Sequence, residues 1–171
     1  MRVGIGYDSH RFESGRPLVL GGVRLPDHAG LKGHSDGDAV AHALIDALLG
    51  ASALGDIGQH FPDTDPRWEG ADSMGLLAAT VRAIEERNYQ VVNADVTIVT
   101  ESPRIGPWVD EMAERIAELL RIARSCISIK GKTNEGMGWI GRGEGLAVMA
   151  VVLLDQIGDI DTLHASIRTG G

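Results

Sequence analysis

The first residues that can do chemistry lie near the start of the chain, in the segment Tyr7-Asp8-Ser9-His10. Asp8 and His10 are two positions apart, and residues i and i+2 of a β-strand project to the same face. A carboxylate and an imidazole on one face can hold a divalent metal ion if a third ligand comes from elsewhere. His42, which lies among apolar residues in a segment with helical spacing, is the candidate third ligand. An Asp-His-His set leaves one coordination position free, as catalytic zinc sites do.

The same three residues also have a structural explanation. Asp-x-His is a short and common pattern, so its chemical meaning is weak on its own. Asp8 could form an ion pair with an arginine, while His10 and His42 are hydrogen-bonded core residues. The spacing alone leaves both interpretations open.

Glycine-rich segments next to these residues are the second candidate feature. The segment GHSDGDAVAH places His34 and Ser35 just before the His42 helix, where backbone N–H groups bind anions. The segment from 56 to 65 carries carboxylates at Asp56, Asp63 and Asp65, which suit sugar hydroxyls or a second metal ion. A simpler interpretation is that each of these carboxylates is a turn former or a helix cap.

The segment from 132 to 145 combines donors, a carboxylate and several glycines. Lys132, Thr133 and Arg142 can donate hydrogen bonds, and Glu135 is a candidate metal ligand. The P-loop spacing is absent, so this is not that kind of phosphate site. An ordinary glycine-rich turn between strands accounts for the same composition.

Hydrophobic periodicity predicts the elements that must position these residues. Strands are predicted at 2–12, 91–101, 126–133 and 144–155, a hairpin at 18–26 turning at Gly21-Gly22, and helices at 38–54, 73–88 and 108–122. The remaining stretches, including 27–37 and 56–72, are predicted to be loops. The segregation of strands and helices favours an α+β fold with one β-sheet and helices packed on one face. We expect a single catalytic domain over 1–155 and a loosely ordered C-terminal tail over 156–171.

Composition argues against several classes of partner and of structure. A chain of 171 residues fits one domain with a substantial core. A net charge of −8 argues against a nucleic-acid or anionic membrane partner. The one cysteine excludes an intramolecular disulfide, and the longest apolar run is far shorter than the roughly 20 residues of a membrane-spanning helix. We therefore expect a cytoplasmic protein.

Several segments together resemble one enzyme family. YDSH, GHSDGDAVAHALIDALLGASALGDIG, FPDTDP, KTNEGMG and GRGEG, in this order and spacing, resemble the 2-C-methyl-D-erythritol 2,4-cyclodiphosphate synthases of the non-mevalonate route to isoprenoid precursors. The resemblance runs from Met1 to about Leu154. It implies a homotrimeric lyase that converts 4-diphosphocytidyl-2-C-methyl-D-erythritol 2-phosphate to the cyclodiphosphate plus CMP, with active sites between subunits.

The resemblance also implies roles for individual residues. Asp8, His10 and His42 match the family's zinc ligands, and Glu135 matches the ligand of a second ion, Mg²⁺ or Mn²⁺, on the diphosphate. His34 and Thr133 match positions that stabilise the transition state. The implied substrate-binding residues are Asp8, His10, His34, Ser35, Asp56, Ile57, Gly58, Phe61, Pro62, Asp63, Thr64, Asp65, Thr100, Glu101, Ser102, Pro103, Arg104, Ile105, Gly106, Lys132, Thr133, Asn134, Glu135, Trp139 and Arg142.

Some positions depart from the family pattern or have two interpretations. Lys132 stands where a small polar residue is common, and Ile105 and Gly106 alter the nucleotide loop. Trp139, with Arg142 and Glu144, matches a cavity on the trimer axis that accepts a prenyl diphosphate in some members. A core tryptophan beside a salt bridge explains the same residues equally well.

Two other functions stay open at this point. A zinc-dependent phosphodiesterase or phosphatase would use the same ligands with water as nucleophile, although no carboxylate bridge for two close metals is evident. A trimeric prenyl diphosphate-binding module without catalysis is the second alternative. The presence of all four candidate metal ligands argues against it.

Overall fold

The computed structural model describes residues 1–157 and gives a mixed α+β fold. The strands are β1 Arg2–Glu13, β2 Leu18–Leu20, β3 Val23–Leu25, β4 Gly30–Leu31, β5 Tyr89–Val99, β6 Ile127–Lys132 and β7 Gly145–Gln156. The helices are α1 Ala39–Ser52, α2 Ile57–His60, α3 Ser73–Glu85, α4 Val109–Leu120 and α5 Gly138–Gly141. The predicted tail begins inside β7, and its part from 158 onward lies outside the described residues.

One five-stranded sheet carries most of the backbone pairing, in the order β4-β1-β7-β5-β6. All neighbours are antiparallel except β5 and β6, which are parallel. The predicted hairpin is confirmed: β2 and β3 form a separate two-stranded sheet. Its turn lies at Gly21 and Gly22, whose φ angles of 56° and 73° favour glycine.

The inner face of the main sheet is covered by helices, mainly by α1 against β1 and β7. Two strand glycines allow this close approach. A β-carbon at Gly4 would lie 2.0 Å from the carbonyl oxygen of Ala47, and one at Gly6 would lie 1.8 Å from that of Ala43. Only a residue without a β-carbon lets the helix backbone rest directly on the strand. The register of α1 against β1 therefore depends on main-chain contact.

Asp38 is the N-cap residue of helix α1. Its buried carboxylate accepts hydrogen bonds from the backbone N–H groups of Val40 and Ala41 in the first turn. It also accepts from the N–H groups of Gly21 and Gly22, at 2.8 and 2.7 Å. One side chain thus caps the helix and anchors the β2–β3 turn to it.

The opposite face of the sheet exposes an apolar surface. Val3, Ile5 and Tyr7 of β1 are 69%, 70% and 57% exposed, and Met149 and Val151 of β7 are each 41% exposed. Ile5 pairs with Val151 and Tyr7 with Met149, so the side chains form one continuous patch. We call these five residues the outer patch.

Two predicted loops contain short elements, and β5 departs from strict alternation. A bulge between Val91 and Asn93 leaves Val92 38% exposed and buries Val91 instead. The predicted loop 27–37 contains β4, and the predicted loop 56–72 contains α2. Both elements are shorter than the periodicity windows that identify helices and strands. Within residues 1–157 no helix has the length and apolarity needed to cross a bilayer.

Candidate metal centre and substrate cavities

Asp8, His10 and His42 converge at the end of β1, as the spacing predicts. Oδ2 of Asp8 lies 2.8 Å from Nε2 of His10 and 3.1 Å from Nδ1 of His42. The two facing nitrogens are 3.3 Å apart. The three side chains lie on the helix-facing side of the sheet, because Asp8 and His10 continue the row of Gly4 and Gly6. The close contact of α1 with those glycines brings His42 over them.

The remaining ring nitrogen of each histidine has a partner of its own. Nδ1 of His10 lies 2.6 Å from the carbonyl oxygen of Lys32, to which it donates. Nε2 of His42 lies 2.9 Å from the hydroxyl of Ser73 and 3.1 Å from that of Ser35. With the outward nitrogens protonated, the neutral rings present bare lone pairs to the centre of the triad. This is how metal-binding histidines are oriented in proteins.

Ser73 and Asp36 complete this arrangement, and sequence reasoning missed both. The Ser73 hydroxyl donates to the Asp36 carboxylate, which also accepts from the Ser73 backbone N–H at 3.2 Å. Ser73 is fully buried at the start of α3. Its only sequence signal was its place after the cap residue Asp72, which points to helix initiation rather than to a metal site.

The electrostatics of the triad favour an ionised carboxylate. Burial raises the pKa of Asp8, but hydrogen bonds from His10 and His42 outweigh it and bring this pKa well below its usual range. Burial lowers the pKa of His10, but its hydrogen bond and charge interaction with Asp8 outweigh that effect and raise it. One carboxylate oxygen and two imidazole nitrogens within 4.8 Å of one another fit a divalent metal ion.

A cavity of about 310 Å³ opens beside His42. It is lined by His34, Ser35, His42, Ile57, Gly58, Phe61, Asp63, Trp68 and Leu76. The structure therefore brings the predicted 34–35 segment to the predicted 57–63 segment next to the triad. Trp68 and Leu76 were not predicted; the Trp68 ring contacts Phe61 edge-on at a centroid distance of 5.2 Å.

Other residues predicted in the 56–65 segment have structural partners. Asp56 caps α2 by accepting from the Gln59 N–H at 2.9 Å. Asp65 pairs with Arg67 at 2.6 Å, and the hydrogen bond from Arg67 lowers the pKa of Asp65. Pro62 and Thr64 lie in the turn between these two carboxylates. The Asp65 carboxylate also accepts from the Arg67 backbone N–H at 3.0 Å. Asp56 and Asp65 therefore both bind backbone N–H groups, as the interpretation of them as turn formers or helix caps predicts.

A second cavity, of about 450 Å³, lies at the ends of β5 and β6. It is lined by Thr100, Glu101, Pro103, Arg104, Ile105, Gly106, Pro107, Gly131, Lys132 and Thr133. The predicted 100–106 and 132–133 segments thus meet, with Ser102 in the same bend. Glu101 joins them, since it accepts from the N–H groups of Asn134 and Gly136 at 2.9 and 3.1 Å.

The structure does not bring Glu135 to the triad within one chain. Among residues 1–157 the clustered metal-ligand atoms belong to Asp8, His10 and His42, and Glu135 instead accepts from the Thr133 hydroxyl at 2.7 Å. Backbone pairing places Ser9, Ala147, Val99 and Lys132 in one row across the sheet. Three strand spacings of about 4.8 Å separate the ends of that row by roughly 14 Å.

A third cavity, of about 360 Å³, lies beside the outer patch and is lined by Ser9, His10, Arg11, Trp139 and Glu144. Trp139 is 37% exposed, so it is not a core residue as the simpler interpretation had it. The expected salt bridge is present: Arg142 Nε lies 2.7 Å from Glu144 Oε1.

Comparisons with known proteins agree with this geometry. The model of the YgbB family matches residues 1–155. The chain is 55% identical to the 2-C-methyl-D-erythritol 2,4-cyclodiphosphate synthase of Symbiobacterium thermophilum, over 90% of this chain and 98% of that protein. It is 53% identical to the synthase of the same name from Brachyspira hyodysenteriae, over 91% of this chain and 99% of that protein.

A solved structure of a 2C-methyl-D-erythritol-2,4-cyclodiphosphate synthase with CDP bound superposes with a TM-score of 0.83. The two chains are 43% identical, over 90% of this chain and 100% of the other. The family model and the two relatives agree on the family, and the solved structure has the same fold over 90% of this chain. The chain belongs to the YgbB family, that of the 2-C-methyl-D-erythritol 2,4-cyclodiphosphate synthases.

Proposed function

We propose that this chain converts 4-diphosphocytidyl-2-C-methyl-D-erythritol 2-phosphate to 2-C-methyl-D-erythritol 2,4-cyclodiphosphate and CMP. The enzymes of its family catalyse this step of the non-mevalonate pathway to isoprenoid precursors. The observation that carries the proposal is the convergence of Asp8, His10 and His42 beside the 310 Å³ cavity. A metal-capable triad next to a cavity with both polar and apolar walls suits a phosphorylated sugar alcohol.

Each cavity has a proposed occupant. The methylerythritol phosphate would lie in the 310 Å³ cavity, where Asp63 can accept from hydroxyls and Ile57 and Phe61 can contact the carbon chain. The cytidine would lie in the 450 Å³ cavity at the ends of β5 and β6. The CDP in the solved relative supports a cytidine nucleotide as the ligand class.

The reaction is an intramolecular displacement at phosphorus. An oxygen of the 2-phosphate forms a bond to the β-phosphorus, the bond from that phosphorus to the α-phosphate oxygen breaks, and its electron pair leaves on CMP. The nucleophile is already an anion, so no strong general base is needed. His34 and Thr133 would donate hydrogen bonds to the charge that develops on the phosphoryl oxygens.

The residues present fit two metal sites of different character. Asp8, His10 and His42 would hold zinc, since two imidazole nitrogens and one carboxylate suit that ion. Glu135 would hold Mg²⁺ or Mn²⁺ together with the diphosphate, because one carboxylate and substrate phosphates are a usual set for Mg²⁺. When bound, the two ions neutralise and polarise the diphosphate, which in a chain of net charge −8 has few other sources of positive field.

A homotrimer is the proposed assembly. The outer patch exposes five large apolar side chains on neighbouring strands, as a surface that is covered in an oligomer does. Glu135 and the triad are far apart in one chain, and a neighbouring subunit would supply the missing half of each site. In such an assembly the cavity lined by Trp139 and Glu144, the ion-pair partner of Arg142, would adjoin the axis, where a prenyl diphosphate stays a predicted ligand.

The activity is tested by incubating the protein with the proposed substrate, Zn²⁺ and Mg²⁺, and following the ³¹P NMR spectrum. We expect a cyclic diphosphate and CMP in equal amounts. Release of inorganic phosphate or an acyclic diphosphate would indicate a hydrolase instead, and an unchanged spectrum would indicate a binding protein. His42→Ala should abolish turnover, with exposed His60→Ala as its matched control.

The assembly is tested by its mass in solution and by mixing inactive subunits. The monomer mass is 18.2 kDa, so a trimer should run near three times that value. Asp8→Ala and Glu135→Ala subunits, each inactive alone, should recover part of the activity when mixed. An active monomer would contradict the trimer, and no recovery after the two variants are unfolded and refolded together would contradict a site shared between subunits.

A further inference from the structure

Arg16 lies in the turn between β1 and β2, and its side chain reaches across to the His34–Ser35 loop. Its Nη1 donates to the carbonyl oxygen of Gly33 at 2.7 Å, and its Nη2 donates to the carbonyl oxygen of Ser35. The two acceptors flank His34. The guanidinium therefore bridges the backbone on both sides of a residue that is expected to act on the transition state.

The other edge of the same loop is fixed by two backbone hydrogen bonds, in addition to the bonds from Ser73 to the Asp36 carboxylate. The carbonyl oxygen of His34 accepts from the Gly70 N–H at 2.8 Å, and the Asp36 N–H donates to the Ala71 carbonyl oxygen at 3.1 Å. The backbone groups of residues 33–36 thus point alternately to Arg16 and to the 70–71 segment. We call the four hydrogen bonds of these backbone groups the clamp. Only the two from Arg16 come from a side chain, so a substitution at Arg16 removes them without changing the main chain.

We propose that Arg16 is a positioning residue for the His34–Ser35 loop, and through it for the metal triad. The inference rests on the proposed function for its effect on turnover. With both carbonyls held, the exposed side chain of His34 stays at the wall of the 310 Å³ cavity. The Ser35 hydroxyl stays 3.1 Å from Nε2 of His42, so the clamp also reaches the outward nitrogen of a metal ligand.

The chemistry of the side chain explains why arginine suits this position. The two carbonyls accept from different nitrogens of one planar group, a fork that the single ammonium of lysine cannot reproduce with the same geometry. Glu13 Oε2 lies 3.7 Å from Nη1 and balances the charge from the strand side. The arginine side chain is 30% exposed, which leaves room for a small cation to enter if it is removed.

The first experiment compares steady-state kinetics of wild type, Arg16→Ala and Arg16→Lys. We expect kcat to fall about ten- to a hundredfold in Arg16→Ala, the range for a misplaced catalytic group, with a smaller change in KM. Arg16→Lys should lie between. Arg24→Ala is the matched control, because Arg24 is exposed on β3 and its side chain makes no hydrogen bond or ion pair to the rest of residues 1–157.

Chemical rescue separates positioning from general destabilisation. Guanidinium chloride at millimolar concentration should restore part of the turnover of Arg16→Ala, whereas sodium chloride at the same ionic strength should not. The small cation can occupy the vacated space and donate to the same two carbonyls. A kcat of Arg16→Ala within a factor of about two of wild type, or a loss that guanidinium does not repair, would overturn the proposal.

A second readout does not depend on the reaction. Amide hydrogen exchange in residues 33–36 should be faster in Arg16→Ala than in wild type and unchanged in Arg24→Ala, while thermal stability stays close to wild type. If wild type forms no CMP, the proposed function fails, and the exchange data still decide whether Arg16 holds the loop. Equal exchange in Arg16→Ala and wild type would show that it does not.

Discussion

The hydroxyl of Ser73 lies 2.9 Å from Nε2 of His42, on the side of the ring that faces away from Asp8. The same hydroxyl donates to Asp36, so its oxygen lone pairs are free to accept from the histidine. Ser73 thereby fixes which nitrogen of His42 carries the proton. The nitrogen that faces Asp8 and His10 is left with its lone pair, as metal binding requires.

Removing this hydroxyl should weaken metal binding without removing a ligand. We expect Ser73→Ala to lower zinc affinity about 10- to 100-fold, the usual effect of losing a partner of a ligating histidine. Competition with a chromophoric chelator measures this. Ser52→Ala is the matched control, since Ser52 is also a buried helical serine, but its hydroxyl donates to the Leu48 and Leu49 carbonyls. Equal losses in both variants would contradict the role of Ser73.

The pH dependence of stability should have opposite signs with and without metal. In the metal-free protein, the lowered pKa of Asp8 stabilises the fold at pH values above 3.8, the ordinary pKa of this carboxyl group, and the contribution is lost as the pH falls further. The raised pKa of His10 stabilises the fold at pH values below 6.5, the ordinary pKa of this imidazole, and the contribution is lost as the pH rises through the raised pKa. Asp8 and His10 together therefore stabilise the metal-free fold most between about pH 4 and pH 6.5.

Bound metal reverses this trend on the alkaline side, because the ion needs a neutral imidazole and competes with the proton. The difference in Tm between zinc-loaded and chelator-treated protein should therefore grow from about pH 5 to about pH 8. Thermal unfolding over that range measures it. His28→Gln should leave the trend unchanged, since the His28 ring contacts Phe12 and lies outside the triad. A Tm difference that does not vary with pH would rule out the coupling.

A substitution at Glu135 should affect one of the two proposed metal sites and leave the other unchanged. Glu135→Gln retains size and hydrogen bonding but removes the charge that Mg²⁺ prefers. Zinc content by elemental analysis should stay at the wild-type level, while turnover falls and the Mg²⁺ concentration for half-maximal rate rises by about tenfold or more. Glu114→Gln, on the exposed side of α4, should behave as wild type in both measurements. A wild-type response of Glu135→Gln to Mg²⁺ would show that this carboxylate holds no ion.

Asp38 should matter more for stability than an ordinary helix cap. Asp38→Ala removes a cap worth about 1 kcal/mol. It also leaves the N–H groups of Gly21 and Gly22 without an acceptor, at about 1–3 kcal/mol each. We expect a loss of about 3 kcal/mol or more in the free energy of unfolding by urea. Asp72→Ala, which removes an exposed cap with one N–H bond, should cost about 1 kcal/mol. Similar losses in both variants would contradict the anchoring of the hairpin.

Local patterns predicted the parts of the site that depend on local geometry. The period of a strand places Asp8 beside His10, and the helical spacing around His42 places it on one face of α1. The turn at Gly21-Gly22 follows in the same way from residue type. Each of these relationships spans only a few positions of the chain.

The contacts that local patterns missed join distant segments. Ser73 is 31 residues from His42, and the Arg16 side chain meets backbone groups 17 and 19 residues away. Their partners are set by how loops pass one another, which no periodicity encodes. The bulge at Val92 was missed for a related reason: one inserted residue reverses the alternation, and the amino acids there are equally compatible with either face.

Neighbouring side chains of β1 lie on opposite faces of the sheet and belong to different functional surfaces. Asp8 and His10 face α1, whereas Tyr7 and the rest of the β1 part of the outer patch face the other way. A shift of β1 by a single residue would turn the ligands toward the outside and press Val3, Ile5 and Tyr7 into the space that Gly4 and Gly6 leave for the helix. Misfolded forms with that shift would lack both the metal-capable triad and the outer patch, so metal binding would report on correct strand pairing.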